Sequence, residues 1–404
     1  MAGVWFSLFF MAAIVEEIDL FCIAKMKLEM KRYLSGLLAY GVRIVQCMAL
    51  AGLSAAASSQ PASAPVAVSA PATPHWIGMP KLQCRITAQT LGLVINLDDP
   101  YSVAVGDYYI QKRAIPEANV LRLHVPVKPR LDLAEFAALE AQVRKQMPEA
   151  VQALALAWRL PYAVECNGLT SALARGFQPK ICEQTCAASE PSPYATYTGN
   201  QPFAEKGMRP TMMIAARSVE SARKLIDRGV AADGSLPSIF LGANAWFMST
   251  SDAARNVRSV WFPPAGMMRP WGVDVKRREA DELPNLPRAL IVQTGLVRVE
   301  GLQHVEWLPG ALADHLTSFG GALDAPPGEG QMSAIDWIEA GATASYGTVS
   351  EPCNHWQKFP HPQLLLLSYI QGVTALEAYW HSVVWPAQGV FIGEPLAAPF
   401  APAY

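Results

Sequence analysis

From residue 91 onward the chain alternates short apolar, β-branched runs with stretches whose apolar positions recur at helical spacing. Residues 91–97 (LGLVINL) read as a buried strand closed by Asp98-Asp99-Pro100, and Val103, Val105, Tyr108 and Tyr109 mark a helix running to about Lys112. Residues 120–125 (VLRLHV) read as the next strand, and strand, helix, strand with short links is the unit that builds parallel sheets. The pattern repeats with a helix over 133–147, apolar at Phe136, Leu139 and Val143, and a strand over 151–158. Strands are expected at 211–216, 238–242, 273–277 and 289–293, with helices over 219–229 and 252–260 that Ser218 and Ser251 can cap. Later come strands at 315–323, 342–349 and 389–392, and helices over 332–340, 364–369 and 375–383, with Gly341 placed as a left-handed C-cap. Such alternation predicts one α/β domain over 85–404, a mostly parallel doubly wound sheet with helices on both faces and ligands at the C-terminal strand ends.

Two regions break the rhythm. Residues 159–210 are rich in Pro, Gly and Ser and carry Cys166, Cys182 and Cys186, so an excursion at the sheet's edge is expected, with these cysteines as disulfide candidates and Cys182-x3-Cys186 as its staple. Ahead of the domain, apolar runs at 4–15 and 33–57 flank Lys25, Lys27, Lys31 and Arg32, and the second ends in Leu53-Ser54-Ala55-Ala56-Ala57. That layout predicts a signal peptide over 26–58 cleaved near Ala57, with residues 1–25 upstream of the natural start and a Pro, Ala and Ser linker over 59–84. Export to the periplasm or beyond is therefore expected. Five cysteines then remain, an odd number that leaves one thiol free or paired between chains.

Of the 404 residues, 51% are hydrophobic and only 16% charged, enough apolar material for a large core and the opposite of a disordered chain. A net charge of −2 with scattered Lys and Arg excludes the footprint of a nucleic-acid partner. Asn96, Asp98 and Asp99 follow the first strand, yet no Gly-rich phosphate loop comes after them, so no nucleotide cofactor is expected.

Residues 309–362 hold the densest chemistry: Asp314, His315, Thr317, Ser318, Glu351, Cys353, His355, Lys358 and His361. Ser318 and His315 lie too close along one strand to be partners, which makes His361 the better base for a Ser318 nucleophile. Cys353 with His355 or His361 forms an alternative dyad, against which stands a disulfide from Cys353 to Cys166 or Cys84. Glu351, His355 and His361 match no compact metal-binding spacing, and no metal is expected. The catalytic candidates are thus Ser318, His361, Cys353, Glu351, His315 and Asp314, and they are expected to converge at one end of the sheet. Tyr379, Trp380 and Trp385 read as packing.

The chain resembles a family of exported bacterial proteins with no assigned activity. The resemblance rests on NLDDPYSVAVGDYYIQKRAIPEANVLRL from Asn96 to Leu123 and on the later HLTSFGG, GATASYGTVSEPCN, KFPHP, EAYWHS and IGEPLA. A weaker similarity is to caspase and gingipain-like cysteine peptidases, whose late strands end in His-Gly and then Ala-Cys, with a Gly-x-Pro turn near the terminus. Here Thr294-Gly295 takes the first place, Leu316-Thr317-Ser318-Phe319-Gly320 the second and Gly393-Glu394-Pro395 the last, so both catalytic residues are replaced. The resemblance implies a caspase-like or flavodoxin-like sheet. It carries either a hydrolase-like activity or a non-catalytic exported binding or cell-envelope role, with partner unknown.

Overall fold

A computed structural model describes residues 75–402 apart from Cys84 and residues 238–241, so the expected signal segment, most of the linker and most of the strand foreseen at 238–242 lie outside the described residues. In chain order the strands are β1 (Leu91–Asn96), β2 (Val120–Leu123), β3 (Arg130–Leu131), β4 (Ala153–Leu156), β5 (Ala163–Val164), β6 (Asn167–Gly168) and β7 (Thr211–Met213). They continue as β8 (Ala243–Ser249), β9 (Gly266–Met268), β10 (Val273–Glu279), β11 (Leu286–Thr294), β12 (Val305–His315), β13 (Ala344–Thr348) and β14 (Gly389–Gly393). The helices are α1 (Pro100–Arg113), α2 (Leu133–Gln146), α3 (Leu169–Arg175), α4 (Lys180–Glu183), α5 (Pro202–Lys206), α6 (Val219–Ala232), α7 (Ala334–Ala340), α8 (Pro362–Tyr369) and α9 (Ala375–Ser382).

Eleven strands form one sheet in the order β2-β1-β4-β7-β14-β13-β12-β11-β8-β10-β9. Within β2 to β14 neighbours run parallel, as they do within β13 to β10, but β13 and β14 pair antiparallel. The protein is thus an α/β fold with a mostly parallel sheet made of two halves that point in opposite directions. Each half places its second strand outside its first and then continues on the other side, so each has its own switch point. Their C-terminal rims lie at opposite ends of the sheet.

Many elements follow from local chemistry. Asp132 and Ser333 close capping boxes on α2 and α7, and Thr374 does so on α9, each satisfying helix-end donors that would otherwise be orphaned. β1, β4 and β14 are buried along their whole length, which is why they read as unbroken apolar runs. In the second half, Ile291, Leu312 and Phe247 face the main core, whereas Val292, Ala313 and Trp246 face a second apolar cluster built around Trp337 of α7.

Three expectations need correction. The strand foreseen at 315–323 ends where it was expected to begin: β12 spans Val305–His315, and residues after it turn away. Gly310 takes φ 84° inside β12 while Arg288 takes φ 48° in the neighbouring β11, and the register shifts there. A bulge shared by the two strands absorbs both residues. The helix over 252–260 is instead a loop and a short 3-10 turn, Asn256–Trp261, because Asp252 accepts from the Arg255 amide (3.1 Å) and Asn256 from that of Thr250 (3.2 Å), local bonds that compete with a regular helix. Residues 159–210 do not hang at an edge: α3 packs on β7 and β14, and Thr170 and Ser171 both donate to the Gly389 carbonyl in the middle of the sheet (3.2 and 2.9 Å).

The last part of the expected linker is also fastened down. The amides of Ile77, Leu82 and Ile86 donate to Gln363 (2.8 Å), Gln371 (2.9 Å) and Glu377 (3.2 Å) on α8, the turn after it and α9.

The turn after β12 approaches β13 so closely that a Cβ on Gly347 would stand 2.2 Å from the Gly320 carbonyl carbon. Gly347→Ala is expected to destabilise the protein by about 3 kcal/mol, whereas Gly78→Ala, with nothing within 4 Å of its added carbon, should change stability by no more than about 0.5 kcal/mol. Urea unfolding of both variants measures the difference.

Candidate functional site

The C-terminal ends of β11, β12 and β13 bring the foreseen residues to one rim. Gln293 pairs in register with Asp314 and Thr294 with His315, so successive residues point to opposite faces. On one face the fully buried Asp314 carboxylate receives the Arg258 guanidinium and the Gln293 amide (2.8 Å). Arg258 also donates to the Thr294 carbonyl (2.8 Å) and the Pro360 carbonyl (3.0 Å). Burial pushes the Asp314 carboxyl above its ordinary range, and Arg258 and Gln293 pull against that.

On the opposite face the indole N–H of Trp337 donates to Nδ1 of His315 (3.0 Å), so Nε2 carries the proton and donates to the Met332 carbonyl (3.1 Å). Both ring nitrogens are occupied, and burial pushes the imidazole down to about 3. Asp314 and His315, adjacent in sequence, therefore serve two separate networks on two faces.

His361 is the N-cap of α8: its Nδ1 accepts from the Leu364 amide (3.3 Å), and its ring lies 5.2 Å from that of Trp261 and 5.6 Å from that of Trp356. Burial, helped by Arg258, pushes it down to about 4. Ser318 sits in the turn after β12, where the Thr348 hydroxyl bonds its carbonyl (2.8 Å), and Thr317 bonds Gln331. Glu351 accepts from the Cys353 amide (2.8 Å) and holds the loop after β13, in which Cys353 and Asn354 both take φ 57°. His355 packs on Trp385, 5.8 Å between rings.

The sulfurs are committed otherwise than expected. Cys166 pairs with Cys182 and Cys186 with Cys353, so neither the Cys182–Cys186 staple nor a Cys353 bond to Cys166 or Cys84 is formed. Cys353 in its disulfide offers no thiolate, which corrects its placement as a nucleophile. Cys84 lies outside the described residues. The Lys358 amine, buried at 1% exposure, donates to the Thr185 carbonyl between Cys182 and Cys186, and burial pushes it down to about 8 despite the nearby Glu351. The rim is thus closed by a loop that two disulfides and a buried lysine hold in place.

Asp314, Ser318, Glu351 and His361 lie at one end of the sheet, with His315 on its other face. Glu351, His355 and His361 do not gather, and among the described residues no group of three His, Cys, Asp or Glu could hold a metal ion. Sequence reasoning missed Arg258, which sits in an unremarkable Arg255-Asn256-Val257-Arg258 run and gains its meaning only from the strands it reaches. In the first half, Asn96 is buried and bonds both the amide and the carbonyl of Val125 (3.0 and 2.8 Å), while Asp99 caps α1.

No family model matches the chain, and neither do any curated proteins or solved structures.

Two measurements test these networks. Arg258→Met leaves Asp314 buried without its partner and should cost about 3–5 kcal/mol in urea unfolding, while Arg258→Met/Asp314→Leu recovers at least half of that. His361 stays neutral when folded but takes up a proton near pH 6.5 when unfolded. Its contribution is therefore full above pH 6.5 and is lost as pH falls from there toward 4, at up to about 1.4 kcal/mol per pH unit. His361→Asn keeps a capping acceptor and should flatten the stability profile between pH 6.5 and 4.5 by that slope.

Proposed function

We propose that the chain is an exported binding protein on a peptidase-related α/β fold, in which the groups that would make a hydrolytic dyad serve as structural ties. The observation that carries this reading is that both nitrogens of His315, the sulfur of Cys353 and Nδ1 of His361 are already engaged with the protein itself. His315 is bonded at both nitrogens, Cys353 is in a disulfide and His361 caps a helix through Nδ1. A general base must reach the proton that it takes, and a nucleophile must reach its base.

The relation to peptidases is supported by placement. Thr294-Gly295 closes β11 and Leu316–Gly320 follows the adjacent parallel β12 at the same end of the sheet, while Gly393-Glu394-Pro395 closes β14. Export is supported by the two disulfides, which persist in oxidising compartments. No helix among the described residues is long and apolar enough to cross a membrane.

Activity-based labelling decides between binding and hydrolysis. A fluorophosphonate and an iodoacetamide probe, applied with and without reductant and mapped by mass spectrometry, are expected to leave Ser318 unlabelled throughout and Cys353 unlabelled in the oxidised protein. Labelling of Ser318 that disappears in His361→Asn would overturn the binding reading and establish a serine hydrolase.

A further inference from the structure

The loop between β13 and α8 meets the 159–210 segment along a seam, where residues 351–358 lie against residues 184–188. Among the described residues two ties cross it: the Cys186–Cys353 disulfide and the hydrogen bond from the Lys358 amine to the Thr185 carbonyl. None of residues 184–188 is buried, so little apolar surface holds that side down.

The seam closes over groups that are poorly suited to it. The Lys358 side chain is 1% exposed, yet its three N–H donors find one acceptor, the Thr185 carbonyl. Glu351 acts on it electrostatically but takes its hydrogen bond from the Cys353 amide. An ammonium buried with so few partners is unfavourable. Cys353 takes φ 57°, a left-handed backbone that cysteine seldom adopts, whereas neither Cys166 nor Cys182 of the other disulfide lies in that region. Both costs can be relieved locally. The Lys358 backbone is held apart from the seam, its amide donating to the His355 carbonyl (2.9 Å) and its carbonyl accepting from the Tyr346 hydroxyl (2.6 Å), so only the side chain needs release.

We infer that the Cys186–Cys353 disulfide is a redox latch, whose reduction lets residues 184–188 lift and brings the Lys358 amine to solvent while the sheet and its helices stay intact. Cys186 is exposed and Cys353 half-buried, so a dithiol reductant reaches Cys186 first. Its thiolate bonds to the Cys186 sulfur, the S–S bond breaks, and Cys353 leaves as a thiolate that takes up a proton. The second thiol of the reductant then displaces Cys186 and closes the reductant's own disulfide, so two electrons and two protons end on the two cysteines. Relief of the buried ammonium and of the Cys353 backbone favours the open form and makes this disulfide the more readily reduced of the two. Its sequence separation of 167 weighs against unfolding of the whole domain and not against local opening.

Lysine acetylation reads the latch. The oxidised protein, and the protein reduced with graded dithiothreitol and then blocked with iodoacetamide, are treated with N-hydroxysuccinimidyl acetate. Mass spectrometry compares Lys358 with Lys145, which is exposed on α2. Alkylation should appear at Cys186 and Cys353 at lower dithiothreitol than at Cys166 and Cys182. Lys358 should be protected in the oxidised protein and acetylate on the order of tenfold faster once Cys186 and Cys353 are alkylated, with an unchanged far-ultraviolet circular dichroism spectrum. Cys186→Ser/Cys353→Ser should acetylate at Lys358 without any reductant. Earlier opening of Cys166–Cys182, equal acetylation of Lys358 before and after reduction, its protection in folded Cys186→Ser/Cys353→Ser, or loss of the fold when Cys186–Cys353 opens would overturn the inference.

Discussion

The buried ion pair between Arg258 and Asp314 ties together four segments that are distant in the chain: the 3-10 turn after β8, the ends of β11 and β12, and the Pro360 loop before α8. Taking both charges out of water costs several kcal/mol per ion, and their attraction offsets this only where further hydrogen bonds complete the shell. Here Gln293 takes the second carboxylate oxygen, and two backbone carbonyls take further donors of the guanidinium. Because the arrangement is satisfied only when all four segments are in place, it sets the rim's geometry more strictly than apolar packing would. It also places a fixed positive charge beside His361, which adds to burial in keeping that imidazole neutral.

The same constraint explains why the rim looked like chemistry in the sequence. Buried polar groups in a folded protein must be hydrogen-bonded, so a strand end that links several layers accumulates Asp, His, Thr and Ser whether or not it reacts with anything. The distinction lies in where the lone pairs and protons are spent, and that depends on Trp337, Met332, Leu364 and Arg258, none of which carries a sequence signal for the role. The α/β class, the mostly parallel sheet and the Ser218 cap of α6 were legible because apolar periodicity and capping residues act locally. The start of β12 was not, since Pro309 and Gly310 punctuate most chains and are absorbed here by a bulge that needs its partner strand. The disulfide partners were not legible either, as Cys186 and Cys353 lie 167 residues apart and spacing carries no information at that range. The linker expected over 59–84 ends in Ile77 and Leu82, and only the glutamines of α8 and the following turn tie these two to the domain.

Opposed half-sheets divide the molecule's surface as well. Loops at the C-terminal ends of β1, β4 and β7 gather at one end, and those of β8, β11, β12 and β13 at the other, so the two switch points cannot share a ligand. At the second the chain closes on itself: Gly295 lies against the Arg255 backbone, and the Thr250 hydroxyl donates to the Gly295 carbonyl (2.8 Å).

The last strand in the order of the chain, β14, lies in the middle of the sheet, between β7 and β13. Neither half can therefore join the other until Gly389–Gly393 has been made. A ribosome or a translocation channel releasing the chain from its N-terminus holds two unjoined half-sheets for most of that time, with β7 and β13 as open edges that invite pairing with other chains. Arrival of the segment after α9 closes both edges at once, through one strand that hydrogen-bonds on each side, and the same segment makes the antiparallel junction between the two parallel halves.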